Sequence, residues 1–289
     1  MKRNIVIGPP GTGKTTFLKD KVDKLISGGH CRPDEIGYFS FTVKAAEEIR
    51  DRVTKEEWSE AELKKMYPYF CTLHSLAYKR LQLQQSQIMD QSDYDDLSRI
   101  TGRYFVNKMK KGNGMDISMP TAKSEYQDLI NLAYAKFPDD DDRLNQIFRT
   151  VKLSDYGARN TIEQMDIDLK NFKRDRDKLE YVDYFNHFLH KKNPPPLKYL
   201  FVDEAQDLSA HQWQVINMIQ EVAKPIETYV AGDDDQAIFR WAGADIEHFI
   251  AMAKNDANTI IPLTQSYRIP KSVHTLATNL AQSISRRID

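Results

Sequence analysis

The sequence predicts an α/β fold, a parallel sheet flanked by helices with an all-helical subdomain inserted into it. Three observations lead there. Short β-branched or aromatic runs alternate with helix-length amphipathic stretches at both ends of the chain. Strand-like runs vanish between about residues 85 and 180, where helical patterns take over. A glycine-rich octet, GPPGTGKT at residues 8–15, stands between the first strand-like run and the first helical stretch.

In chain order, NIVI reads as a buried strand, and TFLKDKVDKLI as a helix that stops at Gly28-Gly29. IGYFSF is a second strand, VKAAEEIRDRV an amphipathic helix, YFCT a third strand and LHSLAYKRL a helix. The helical region holds YDDLSRITGRYFVNKMKK, EYQDLINLAYAKF and NTIEQMDIDLKNFKRDRDKL, separated by turn signals at Gly112-Asn113-Gly114 and at Pro138. Its periodic apolar residues argue for an insertion with a core and against a disordered linker. KMKKGNG reads as a solvated loop or as a basic loop against phosphates. After Pro194-Pro195-Pro196 the alternation resumes. KYLFVDEAQD and IETYVAGDDD are strands ending in acids, TIIPLTQSYR begins as a strand, and AHQWQVINMIQEV, DIEHFIAMAK and SVHTLATNLAQSI are helices.

Composition sets bounds. With 289 residues, 40% hydrophobic and 29% charged, the chain has room for one large domain carrying an insertion. The net charge of −1 gives no global signature of nucleic-acid binding, although a local basic groove averages out of that figure. Cys31 and Cys71 form no CxxC pair and no disulfide framework, so a reducing compartment is expected. No apolar run has membrane-spanning length, and Ile5-Val6-Ile7 is too short for a secretory signal.

GPPGTGKT fits GxxxxGK[ST], the phosphate-binding P-loop, in the strand–turn–helix context that supports it. Gly8, Pro9, Pro10, Gly11, Thr12 and Gly13 would turn backbone N–H groups inward around phosphates, and the helix N-terminus at Lys14, Thr15 and Thr16 adds positive potential. Lys14 should reach the β- and γ-phosphates of ATP and Thr15 should ligate Mg²⁺. YLFVDEAQD supplies the second acidic element. Asp203 is the metal-side acid, and Glu204 the general base that would deprotonate the attacking water. The blander reading is that these acids cap the next helix.

Motif by motif, the chain resembles the UvrD/Rep-like branch of superfamily 1 DNA helicases. GPPGTGKTT looks like motif I, FTVKAAEEIRDRV like motif Ia, CTLHSLAYKRL like the TFH segment, and LEYVDYFNHFL like the return from the insertion. VDEAQDLSAHQW looks like motif II, AGDDDQAIFRWAGAD like motif III and LTQSYRIPKSV like motif IV, in the family's order. The resemblance implies a RecA-like motor domain over 1–84 and 181–262, a helical insertion over 85–180, and the start of a second motor domain over 263–289. It implies ATP and Mg²⁺ as cofactors. Its partners would be single-stranded DNA and junctions of single and double strand, engaged by a monomer in a bacterial or phage-infected cytoplasm.

The same resemblance assigns roles to residues. Gln236 would sense the γ-phosphate and its water, the aspartates at 233–235 would support the metal-side polar network, Arg268 would contact the γ-phosphate, and Tyr267 would stack on adenine. Trp241 and Phe239 would stack on bases, which tolerates any sequence; the alternative for Trp241 is a core anchor. Phe41 and Lys44 would line the DNA groove, by stacking and at phosphate, and Thr72 and His74 would hydrogen-bond the DNA backbone. His74 has no Cys/His cluster around it, which argues against a metal site.

Three departures qualify the resemblance. Met1 lies three residues before the first strand run, which leaves no room for the glutamine-containing motif that helps read adenine. Ala242 stands where the family often has arginine after the tryptophan. Motifs V and VI, including an arginine finger, are not found before Asp289; Arg286 and Arg287 lie at the tail of the last helix. The expectation is therefore one motor domain plus the first strand and helix of the next, with a second motor domain needed in cis or trans, so that this chain alone would bind nucleotide, bind DNA weakly and show little activity. Two other readings are a non-catalytic, ATP-gated single-stranded DNA-binding module and a small-molecule P-loop kinase. The DEAQD and DDDQ segments argue against the kinase.

Overall fold

A computed structural model describes residues 2–53, 58–107, 124–240, 243–268 and 270–281. Six parallel strands form one sheet in the order β3-β2-β4-β5-β1-β6. They are β1 (Lys2–Ile7), β2 (Ile36–Phe39), β3 (Phe70–Cys71), β4 (Tyr199–Val202), β5 (Glu227–Gly232) and β6 (Thr259–Pro262). Four of them were legible as near-continuous apolar runs, the pattern of a sheet covered on both faces.

Side-chain alternation sorts those runs into two cores. Ile5, Phe39, Leu200, Val202 and Val230 face one side. They pack against α4 (Leu73–Leu81), α9 (Tyr181–Lys191), α10 (Ala210–Ala223) and α11 (Ile246–Ala253). Val6, Ile36, Tyr38, Phe201, Tyr229 and Ala231 face the other, under α1 (Lys14–Ser27) and α2 (Val43–Val53). Leu18 and Val22, one helical turn apart, are the buried stripe of α1.

The inserted region contains α5 (Gln91–Thr101), α6 (Glu125–Lys136), α7 (Arg143–Thr150) and α8 (Tyr156–Arg176). These helices pack around a core of their own that includes Tyr94, Leu97, Ile130, Phe148, Ile162 and Leu169. The chain leaves and re-enters the sheet domain side by side: Leu179 donates its N–H to the Gln87 carbonyl and accepts one from Met89. Buried Glu180 takes hydrogen bonds from Tyr94 and Lys173 close to that crossing.

Several local expectations need correction. The pattern YDDLSRITGRYFVNKMKK is not one helix. α5 ends at Gly102, whose φ of 70° makes it a left-handed cap. A short α3 (Glu60–Met66), closed by a Ser59–Glu62 capping box, was not anticipated. The YFCT strand shrinks to two paired residues. β6 pairs with β1 over Asn4↔Thr259 to Ile7↔Pro262 and so closes this sheet at its far edge. α12 (Lys271–Ala281) follows it. The KMKKGNG segment lies outside the described residues, as do Trp241, Ala242, Arg286 and Arg287. Among the described residues, no helix is long and apolar enough to cross a membrane.

Candidate active site

Parallel pairing brings every strand's carboxyl end to one edge. Ile7 is in register with Gly232, Val230 with Val202, and Val202 with Phe39. The segments that follow, Gly8–Thr15, Asp233–Gln236, Asp203–Asp207 and Ser40–Lys44, therefore open on the same side, where α/β sheets bind ligands.

The glycine-rich loop makes a tight turn. Gly11 has φ +75°, and a Cβ there would stand 2.4 Å from Cβ of Arg268, so only glycine fits between the loop and the segment after β6. That segment is tied down by Ser266 Oγ donating to the Pro10 carbonyl and by the Tyr267 N–H donating to the Gly11 carbonyl, both at 2.9 Å. Tyr267 and Arg268 thus stand against the loop with their side chains exposed. Thr12 Oγ1 donates to the Pro9 carbonyl within the turn, and Thr16 follows in the first turn of α1.

Lys14, Thr15 and Asp203 converge. Thr15 Oγ1 donates to Asp203 Oδ2 at 2.9 Å, and Tyr38 OH donates to the same oxygen at 2.9 Å. The Glu204 N–H donates to Asp203 Oδ1 at 3.0 Å. Burial first, then the adjacent Glu204 carboxylate, raise Asp203 above its ordinary pKa against the pull of those three donors. Burial also pushes the Tyr38 hydroxyl up, so it remains a donor. Lys14 Nζ donates to the Gly8 carbonyl at 2.7 Å and lies 4.0 Å from Asp233 Oδ2. Asp233 accepts from Gln236 Nε2 and from the Asp235 N–H. Its pKa is raised by burial, a rise that Gln236 and Lys14 oppose.

The donor set suits Mg²⁺. A hydroxyl and a carboxylate, both hard oxygens, sit in contact, and a cation beside Asp203 would offset the burial and the Glu204 charge that raise it. Neither acid caps α10. Ser209 and Gln212 do so with a capping box, which leaves Asp203 and Glu204 to the sheet edge. Glu204 itself adopts a left-handed φ of 54°.

On the flank of this edge, Phe41 and Phe239 stack with ring centroids 5.7 Å apart. They come from the loops after β2 and β5, strands that are not neighbours. Lys44 is exposed in the first turn of α2. Thr72 and His74 are engaged within the protein. Thr72 is buried and caps α4 by accepting the Ser75 N–H at 3.2 Å. His74 is stacked on Tyr181 and packed against Phe185 of α9. Burial, and then His211, hold it well below its ordinary pKa. Among the described residues, no group of three or more His, Cys, Asp or Glu forms a metal cluster.

Tyr38 and Gln206 also stand at the centre of this site, in contact with Asp203 and with Asp233 of the aspartate loop. Tyr38 was hidden in a strand of core residues; its only signal was a hydroxyl that needs a partner when buried. Gln206 sat unremarked inside DEAQD.

Glycine-rich turn, lysine, hydroxyl and strand-end acid come together as they do in P-loop nucleotide-binding domains. Within that class, the chain matches the UvrD/REP helicase N-terminal domain over residues 1–257 and belongs to that family. Similar curated proteins include the ATP-dependent DNA helicase PcrA of Staphylococcus aureus, 26% identical over 297 residues, with 98% of this chain and 38% of the relative covered. A probable DNA helicase of Mycoplasma pneumoniae is 27% identical over 305 residues, with 98% of this chain and 54% of the relative covered. The chain thus spans between 38% and 54% of the length of these two relatives.

Proposed function

We propose that the chain binds ATP with Mg²⁺ at Gly8–Thr16, hydrolyses it, and grips single-stranded DNA beside Phe41 and Phe239, as the nucleotide-binding unit of a DNA helicase motor. The observation that carries this reading is the Thr15–Asp203 contact at 2.9 Å, which joins the loop to the end of β4 across 188 residues.

The residues divide the work. Loop N–H groups and Lys14 bind the β- and γ-phosphates, for which Lys14 must exchange the Gly8 carbonyl for phosphate oxygen. Thr15 and Asp203 would hold Mg²⁺, which neutralises phosphate charge when bound. Glu204 accepts the proton of the attacking water, and Gln236 orients that water. Tyr267 stacks on adenine, and Arg268 takes the γ-phosphate in the bidentate geometry that guanidinium favours. Phe41, Phe239 and Trp241 contact bases, and Lys44 a phosphate of the strand.

Asp233 links the two ligands. It lies near Lys14 and holds Gln236, three residues before Phe239. A phosphate that draws Lys14 away changes what Asp233 holds, and the Phe239 loop feels it. Nucleotide-dependent DNA affinity tests this directly. Fluorescence anisotropy of a single-stranded oligonucleotide should shift by several-fold when a non-hydrolysable ATP analogue and Mg²⁺ are added. The shift should disappear in Lys14→Ala. An affinity indifferent to nucleotide would favour a small-molecule kinase.

A further inference from the structure

Gln206 lies in the short turn Ala205–Asp207 after β4, with a relative exposure of 3%. Its carboxamide makes three hydrogen bonds. Nε2 donates to Glu204 Oε2 at 2.8 Å and to Asp207 Oδ2 at 3.4 Å, while Oε1 accepts the Asp233 N–H at 3.0 Å. The partners fix the amide's orientation. Carboxylates only accept and a backbone N–H only donates, so a flipped amide would set oxygen against oxygen and NH₂ against N–H. The backbone makes room for this reach: a Cβ on Gly232 would stand 3.0 Å from Gln206 Oε1 and 2.8 Å from the Phe249 ring. One buried side chain therefore ties the acid at the end of β4 to the first residue of the loop after β5. That loop carries Gln236, whose amide returns to Asp233.

We infer that Gln206 is a positioning residue that sets the Glu204 carboxylate and the Asp233–Gln236 loop in one register, so that the proton acceptor and the water-orienting loop move together. The inference rests on the proposed role of Glu204 as general base. The amide holds Oε2 and leaves Oε1 to take the proton. A displaced Asp233 would drag the amide, and through it the carboxylate, out of line. A bystander amide that only satisfies buried polar groups would affect stability and leave the chemical step alone.

The test is DNA-stimulated ATP hydrolysis by the full chain, comparing the parent with Gln206→Met and Gln206→Asn. The methionine keeps the volume and loses all three hydrogen bonds; the shorter asparagine keeps the polarity and cannot span both partners. Either variant that folds should lose kcat by roughly 10- to 100-fold, the scale of a misplaced catalytic group, with KM and Kd for ATP within about twofold of the parent. Combining the substitution with Gln236→Ala should cost no more than the larger single effect, because both act through one loop. A kcat within about twofold of the parent, or losses that simply multiply, would overturn the inference while leaving the proposed function standing. A parent whose turnover survives Glu204→Gln would overturn the role of Glu204, and this inference with it.

Discussion

At the residue scale the site concentrates acids that water would normally keep apart. Asp203, Glu204, Asp207 and Asp233 crowd one sheet edge, held by amide, hydroxyl and backbone donors and by a single lysine. Asp207 shows the cost. Burial, and then the Glu204 charge, raise its pKa from 3.8 to about 7. A carboxyl whose folded pKa is raised contributes stability that is complete below its unfolded pKa and lost as pH rises. The loss here falls between about pH 4 and pH 7. Asp207→Asn should therefore be close to neutral at pH 4 and stabilising at pH 8, by roughly 2 kcal/mol once partial solvent access is allowed for. Urea unfolding at the two pH values checks this; equal shifts at both would contradict it. Phe239→Ala should weaken single-stranded DNA binding by about 1–3 kcal/mol, one base's worth of stacking, with ATP affinity unchanged. Anisotropy and nucleotide titration separate the two.

At the element scale, local signals named the strands and most helices, and packing set their limits. NIVI, KYLFV and TYVAG were legible because a covered parallel strand is apolar on both faces. α5 was overextended because its apolar period continues past Gly102 while the backbone turns left-handed there. α3 was missed because its seven residues bury only Leu63. The insertion's separate core makes its own prediction. Leu169→Ala, in the middle of α8, should destabilise by about 2–5 kcal/mol through the cavity it leaves. Because Leu169 packs among insertion residues, hydrogen exchange should rise in α5, α6 and α8 before it rises in the sheet. Uniform loss of protection would show one undivided cooperative unit.

At the scale of the whole molecule, the sheet does what no single motif can. Order β4-β5-β1 puts Asp233 between the loop that would hold ATP and the acid that would hold its metal, and the same strand leads on to Phe239. The P-loop and the acidic pair were legible in sequence because each is a contiguous string of side chains with one chemistry. The partnership of Tyr38 with Asp203 and of Gln206 with Asp233 was not. Those pairs are 165 and 27 residues apart and meet only through strand register. Thr72 caps α4 and His74 stacks on Tyr181. The central claim is that this edge is a DNA-responsive ATPase site. Its most direct test is steady-state ATP hydrolysis by this chain, with and without a single-stranded oligonucleotide, beside Glu204→Gln. The account predicts slow turnover that still rises with DNA and is lost in the variant, by on the order of the 100-fold that loss of a general base costs. Turnover indifferent to both DNA and Glu204 would contradict it. ATP bound through Lys14 without any turnover would mark an ATP-gated DNA clamp instead.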